Sequence, residues 1–357
     1  MGRINDALVQ TEFLLLLTKT KESIMACKPV LNGVLWNLDN SSPSQTFNYT
    51  ESAEEWRADF DAMHQIGLDT LMLFTGVPIG MTTPAAAAPD IIEFIAGECD
   101  RRNMNLIIAA GGHPYWWDEL KMPDEMKLVN GFIDQIYERY GHHRSFAGWY
   151  IDYEFSLRYG ELGDMLRELY RETVMSCKAK TPNLPVVASP FFNPPTETNI
   201  MNCGYHEPQE YYEYWRDLIA CCHFDVLALQ DNGGQHLSFF EECVTEPYIA
   251  AFAKACAENG CRFWGNVETG EFLSGSAREF TEKYGPQGNV NRIDEGWRPV
   301  PIERLKRKLK TMSRYSEMNI SWGYQYFYRS CLSEAGRVAY ENYKAFLKEE
   351  HPEMIVK

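Results

Sequence analysis

The sequence predicts a single (β/α)8 barrel, and three observations carry that expectation. A short apolar or β-branched run, a loop and an amphipathic helical stretch recur in that order along the chain. The unit recurs eight times, the number that closes a parallel barrel. No G-x-G-x-x-G or Walker loop is present, although the competing doubly wound open sheet normally carries such a loop after an early strand.

The candidate strands are residues 30–38, 68–76, 105–112, 146–154, 185–193, 225–231, 262–268 and 320–328. Helical patterns lie between them near 52–66, 88–103, 124–140, 161–180, 207–222, 245–259 and 301–318, with a last one near 333–349. Alternation of this kind requires parallel strands joined by crossover helices. Helix boundaries agree: Ser52 precedes Glu55 at capping-box spacing, and Gly67 stands where that helix stops. Trp56, Phe60 and Met63 give the same helix one apolar face for packing on a barrel. No linker or low-complexity tract divides the chain, so residues 29–357 are expected to form the barrel, with residues 1–28 an N-terminal extension or helix. The stretch 271–301 is the longest without the repeat and is expected to form a lid or one wall of the cleft.

Bulk composition bounds the function. With 45% hydrophobic and 24% charged residues in 357, the chain suits a soluble globular protein with a large core. A net charge of −16 repels phosphate backbones and anionic lipid head groups, so neither nucleic acid nor a membrane is an expected partner. The most basic stretch, Arg304, Lys306, Arg307, Lys308 and Lys310, reads as the solvated face of a helix. Ten cysteines without a C-x-x-C pair read as buried free thiols rather than a disulfide framework or a zinc site. They lean towards a reducing compartment, and with no transmembrane run or convincing signal peptide the expected location is the cytoplasm. Oligomeric state leaves no mark in the sequence.

In a (β/α)8 barrel the active site lies at the C-terminal ends of the strands. Read together, those ends supply Trp36, Asn37 and Asp39; Phe74; His113 with Trp116 and Trp117 beyond it; Asp152 and Glu154; Asn193; Gln230 and Asp231; Asn266 and Glu268; and Tyr326. The set is rich in aromatics, amides and carboxylates and poor in cations. Flat aromatic faces stack on sugar rings while Asp, Asn and Gln bind hydroxyls, so an oligosaccharide or glycoside of neutral sugars fits these walls and no cofactor is called for.

The carboxylates carry the mechanism. Glycoside hydrolysis needs one acid to protonate the leaving oxygen and a second carboxylate to attack or to activate water. Glu154 ends the fourth strand and Glu268 the seventh, which face each other across an eight-stranded ring and can flank one scissile bond. Alternation places Asp152 on the same side as Glu154.

Glutamates at the ends of strands four and seven are the hallmark of the retaining clan A glycoside hydrolases. The segment Gly148-Trp149-Tyr150-Ile151-Asp152-Tyr153-Glu154, with Leu227-Ala228-Leu229-Gln230-Asp231, resembles a bacterial barrel family of unknown function related to them. That resemblance covers residues 29 to 348 or so and implies Glu154 as acid/base and Glu268 as nucleophile. The chain departs from the clan in carrying Tyr153 where Asn usually precedes the acid/base, and in showing no strand-two Arg. Glu271 competes with Glu268 for the nucleophile's place. Two other readings use the same residues: a metal-dependent barrel hydrolase built on Asp39, His113 and Asp231, and a non-catalytic carbohydrate-binding barrel.

Overall fold

The computed structural model describes residues 27–38, 53–74, 90–111, 122–198, 204–234, 238–285, 296–329 and 333–356. The expected N-terminal extension therefore lies almost wholly outside the described residues, as do Ser52 and the strand-end residues Asp39, His113, Trp116 and Trp117.

Eight parallel strands close into a barrel. They are β1 (Gly33–Asn37), β2 (Thr70–Phe74), β3 (Asn105–Ala109), β4 (Phe146–Ile151), β5 (Val186–Ala188), β6 (Val226–Gln230), β7 (Arg262–Asn266) and β10 (Met318–Trp322). Each pairs with its neighbour in sequence order, and β10 closes the ring on β1 through Gly33 opposite Ile320. The crossover helices are α1 (Ala53–Gln65), α2 (Ile91–Arg102), α3 (Met122–Tyr140), α4 (Gly160–Lys180), α5 (Pro208–Cys222), α6 (Glu242–Glu258) and α8 (Ile302–Met312), with α10 (Glu334–Glu350) last.

Local chemistry sets these boundaries. Asp90 caps α2 by accepting from the Ile92 and Glu93 N–H groups, and Asn103 ends it in the left-handed region at φ 55°. In α1, Trp56, Asp59, Phe60 and Met63 are buried, so the periodic face read from sequence is the one that packs. Cys99, Cys177, Cys222, Cys256 and Cys261 are buried free thiols, whereas Cys243 is exposed. No described helix is long and apolar enough to cross a membrane.

Strand alternation divides the core in two. Leu35, Met72, Ile107, Tyr150, Val187, Ala228, Trp264 and Ile320 fill the barrel interior. Their neighbours Val34, Trp36, Leu71, Ile108, Trp149, Ile151 and Leu229 face outward against the helices.

The structure corrects the expected strands in three places. The eighth run stops at Trp322; Gly323, at φ 100°, turns the chain into a short helix α9 (Tyr324–Phe327). A φ in that region disfavours any residue with a Cβ, which is why glycine stands at the break. The fifth run keeps only three strand residues because Pro190, Pro194 and Pro195 follow closely and cannot donate to a ladder. The stretch 271–301 is in part regular: β8 (Gly270–Phe272) pairs antiparallel with β9 (Trp297–Pro299), and α7 (Ala277–Tyr284) lies between them. Phe272, Ala277 and Phe280 form its own small core with Tyr284 and Trp297.

Candidate active site

The interior register carries the candidate residues upward to the C-terminal rim. On β4 the inward positions continue from Tyr150 to Asp152, and Glu154 follows two residues later. On β6 and β7 the inward positions end at Gln230 and Asn266, with Glu268 two residues beyond.

Glu154 keeps a small contact with solvent, and both its oxygens are held. The Tyr150 hydroxyl donates to Oε1, and Gln230 Nε2 donates to Oε2 at 2.8 Å. Gln230 also donates to the Ser189 carbonyl at 2.8 Å, which fixes its amide from the neighbouring strand. Burial pushes the Glu154 carboxyl up to about 7, against the two hydrogen bonds, which hold it down. Asp152 also rises to about 7, first through burial and then through the charges of Glu154 and Glu125; its own backbone hydrogen bond opposes the rise. Asp152 Oδ1 is buried without a hydrogen-bond partner.

Glu268 is 1% exposed and accepts from the Gly234 N–H at 2.8 Å through Oε2. Its backbone N–H donates to Asp231 Oδ1 at 3.2 Å, and its carbonyl accepts from Lys308 Nζ at 2.6 Å. Strands β4 and β7 stand three places apart in the ring, with β5 and β6 between them, so the pair is nearly rather than fully opposite. Beneath this rim, Asn266 is committed to the barrel: its Nδ2 donates to Ser189 Oγ at 3.0 Å and its Oδ1 accepts from the Trp322 N–H at 2.8 Å. Phe74 lies 6.2 Å from the Tyr150 ring at the end of β2, whereas Tyr326, 5.6 Å from Trp322, is buried with the outer core.

The structure does not bring every expected residue to this rim. Trp36 faces outward, 3% exposed, with its ring 5.2 Å from Trp56 and the Arg329 guanidinium 5.2 Å above it. The reason is parity: Leu35 and Asn37 hold the inward positions of β1, so Trp36 must point at α1. Asn37 is held at its peptide, its N–H donating to Gln325 Oε1 at 2.5 Å and its carbonyl accepting from Gln325 Nε2 at 3.1 Å. Asn193 is buried just past β5, its carbonyl accepting from the His206 N–H at 3.3 Å. Glu271 sits on the β8–β9 ribbon with both oxygens taken, by Arg298 Nε at 2.7 Å and Arg304 Nη1 at 2.6 Å. Tyr153, the departure from the clan pattern, turns outward and donates to Glu125.

Two participants escaped the sequence reading. Tyr150 was visible only as a motif residue, yet its spacing from Asp152 and Glu154, two and four residues, already placed it on their side. Lys308 departs from the reading of the basic stretch as a solvated face, which Arg307 and Lys310 keep: it is 6% exposed and lies 3.1 Å from Asp231 Oδ2, an ion pair whose angles do not make a hydrogen bond. The available signal was its four-residue spacing from Arg304 on the face that buries Leu305, Leu309 and Met312. Among the described residues, one trio with metal-ligand spacing occurs, Glu93, His142 and His143, and none of its members belongs to a strand end of the rim. The Asp39 and His113 of the metal-hydrolase reading lie outside the described residues.

This is a (β/α)8 barrel whose strand ends gather acidic, amide and aromatic side chains into one rim. By sequence the chain belongs to the family described as domain of unknown function DUF4434, which matches residues 33–332. No curated protein matches it. Among solved structures it is similar to a proposed alpha-L-fucosidase from Bacteroides thetaiotaomicron, with 20% identity, 91% of this chain and 95% of that one covered, and a TM-score of 0.69. It is also similar to an endo-1,4-beta-D-mannanase from Thermotoga petrophila, with 13% identity, 82% and 88% covered, and a TM-score of 0.49. An intracellular xylanase from Thermoanaerobacterium saccharolyticum follows, with 13% identity, 84% and 88% covered, and a TM-score of 0.47. At 20% identity the likeness to the first of these is one of fold.

Proposed function

We propose that this protein is a retaining glycoside hydrolase acting on an oligosaccharide or glycoside of neutral sugars, with Glu154 as acid/base and Glu268 as nucleophile. One observation carries the reading. Glu154 is oriented by Tyr150 and Gln230 and holds its proton up to about pH 7, so it can act as an acid at neutrality. Glu268 offers the second carboxylate from the other side of the rim, with a backbone N–H bond on Oε2 to keep it aimed.

In the first step Glu154 gives its proton to the glycosidic oxygen while Glu268 attacks the anomeric carbon. The C–O bond to the leaving group breaks and a glycosyl ester forms. In the second step Glu154, now a carboxylate, takes a proton from water. The resulting hydroxide equivalent attacks the anomeric carbon, and Glu268 departs as a carboxylate. Asp152, Asn193, Gln230, Asp231, Asn266 and Tyr326 surround this chemistry or support it from below, and Asp39, His113, Trp116 and Trp117, which follow strands one and three in sequence, are assigned to sugar contacts. Trp36 and Glu271 are assigned to the fold. The reduced cysteines favour the cytoplasm as the place of action.

The test is hydrolysis of a panel of 4-nitrophenyl glycosides and of xylo- and manno-oligosaccharides by the wild type, Glu154→Gln and Glu268→Ala. Release by the wild type, lost in both variants with folding intact, is the expected result. Saturable sugar binding by calorimetry with no hydrolysis in any arm would replace this reading with a carbohydrate-binding barrel.

A further inference from the structure

Asp231, Lys308 and Gly234 each hold Glu268, and the first two trace to one lysine on a distant helix. Asp231 Oδ1 accepts from the Glu268 N–H at 3.2 Å and from the Gly233 N–H at 3.1 Å. Lys308 Nζ donates to the Glu268 carbonyl at 2.6 Å and stands 3.1 Å from the other Asp231 oxygen. The turn that follows Asp231 passes through Asn232 at φ 47° and brings the Gly234 N–H to Glu268 Oε2. A Cβ at Gly234 would lie 1.8 Å from the Gly270 carbonyl oxygen and 2.8 Å from Glu268 Oε2, so the turn is pressed against the carboxylate it holds. The peptide N–H, the peptide C=O and the carboxylate of Glu268 are thus all pinned, and Lys308 with Asp231 closes the frame.

The lysine and aspartate side chains are 4% and 8% exposed. A buried ion pair is a weak way to stabilise a fold, because desolvation cancels most of its attraction and an apolar pair of similar volume does as well. What the pair does supply is direction: it orients one acceptor and one donor onto the two peptide units that flank the Glu268 Cα. We propose that Lys308 is a positioning residue for Glu268, fixing its backbone directly and through Asp231; this rests on the reading of Glu268 as nucleophile.

A small pocket of about 20 Å³ beside the ion pair adjoins the space that Lys308→Ala would vacate, and the two together make the proposal testable by chemical rescue. It lies between α6 and α8 and is lined by Asp231, Gly233, Thr245, Ile249, Arg304 and Lys308 among others, so it reaches the ion pair from between two helices. A small alkylammonium ion entering there could stand where the lysine Nζ stood.

The experiment compares wild type, Lys308→Ala, Lys308→Met and Glu268→Ala on the 4-nitrophenyl glycoside that the wild type turns over best. Misplacing a reacting group by about 1 Å costs on the order of 100-fold in rate. Both lysine variants are therefore expected to lose about that factor in kcat while KM changes by less than about threefold. Ethylammonium chloride should restore part of the kcat of Lys308→Ala in a saturable manner, and sodium chloride at equal ionic strength should not. Lys308→Met, whose side chain fills the space, should not respond. It also keeps the volume needed for folding, checked by circular dichroism and Tm, so the kcat measurement stands even where Lys308→Ala unfolds. A folded Lys308→Met with wild-type kcat, or an inactive but folded Lys308→Ala that no alkylammonium rescues, overturns the proposal. If instead Glu268→Ala remains active on the same glycoside, the nucleophile assignment itself fails.

Discussion

The Tyr150 hydroxyl donates to Glu154 Oε1 from four residues earlier in the same strand-and-turn segment, on the inward side of β4. The donor lies in β4 and the acid in the turn that leaves it, so one continuous segment of chain sets the approach of the two groups. The bond favours the ionised carboxylate and so opposes the burial that raises it.

Removing that donor gives the first prediction. Tyr150→Phe takes away an interaction that lowers the Glu154 carboxyl, so the acid should hold its proton to higher pH. The basic limb of the kcat/KM profile should move upward relative to wild type. Activity at neutral pH should fall by roughly tenfold, the scale of one hydrogen bond to a charged group. A basic limb that stays in place or moves down would show that Glu154 is not the group titrating there.

The competition between two carboxylates can be decided by substitution. Glu271→Gln leaves Arg298 and Arg304 short of a charge partner and is expected to lower Tm while keeping activity within a few-fold of wild type. Glu268→Gln should keep the Tm and lose activity by about 10³-fold or more, the scale expected when a catalytic group is removed. The reverse pattern would exchange the two assignments.

Stability should depend on pH through the same acids. Glu154 and Asp152 titrate near 7 in the folded protein, against ordinary values of 4.5 and 3.8. Between those limits the folded chain holds more protons than the unfolded one, so stability falls as pH rises from about 4 to about 7 and then levels. Thermal unfolding at pH 5 and pH 8 should show a higher Tm at pH 5. The gap should narrow in an Asp152→Asn, Glu154→Gln double variant, in which neither position titrates. An unchanged gap would place the pH dependence elsewhere, His143 being one further group whose upward shift acts in the same direction.

Trp36 tests the outward reading of β1. It packs on Trp56 below an Arg329 that is itself paired with buried Asp59. Trp36→Ala should cost about 3–5 kcal/mol of stability, the usual range for removing a buried aromatic. At temperatures where the variant is folded, KM for a glycoside should stay near the wild-type value. A raised KM with an unchanged Tm would return the tryptophan to the cleft.

The sequence by itself determined the order of eight β/α units and the faces of the helices. These follow from local periodicity: a two-residue repeat sorts Tyr150, Asp152 and Glu154 to one side, and a 3.6-residue repeat sorts Trp56, Phe60 and Met63. Strand lengths were overread where Pro190 and Gly323 break the chain, because aromatic and apolar residues continue past both. Only the tertiary structure decided which strand-end side chains reach the rim and which are spent on holding it. Trp36 turned outward by one step of parity, a shift too fine for a strand boundary read to within a residue or two. Glu271 was claimed by Arg298 and Arg304, and Lys308 was drawn under Glu268, by contacts that span 27 to 40 residues of sequence. Long charged side chains choose partners by where packed helices leave them, and a one-dimensional pattern of charges carries no record of that choice.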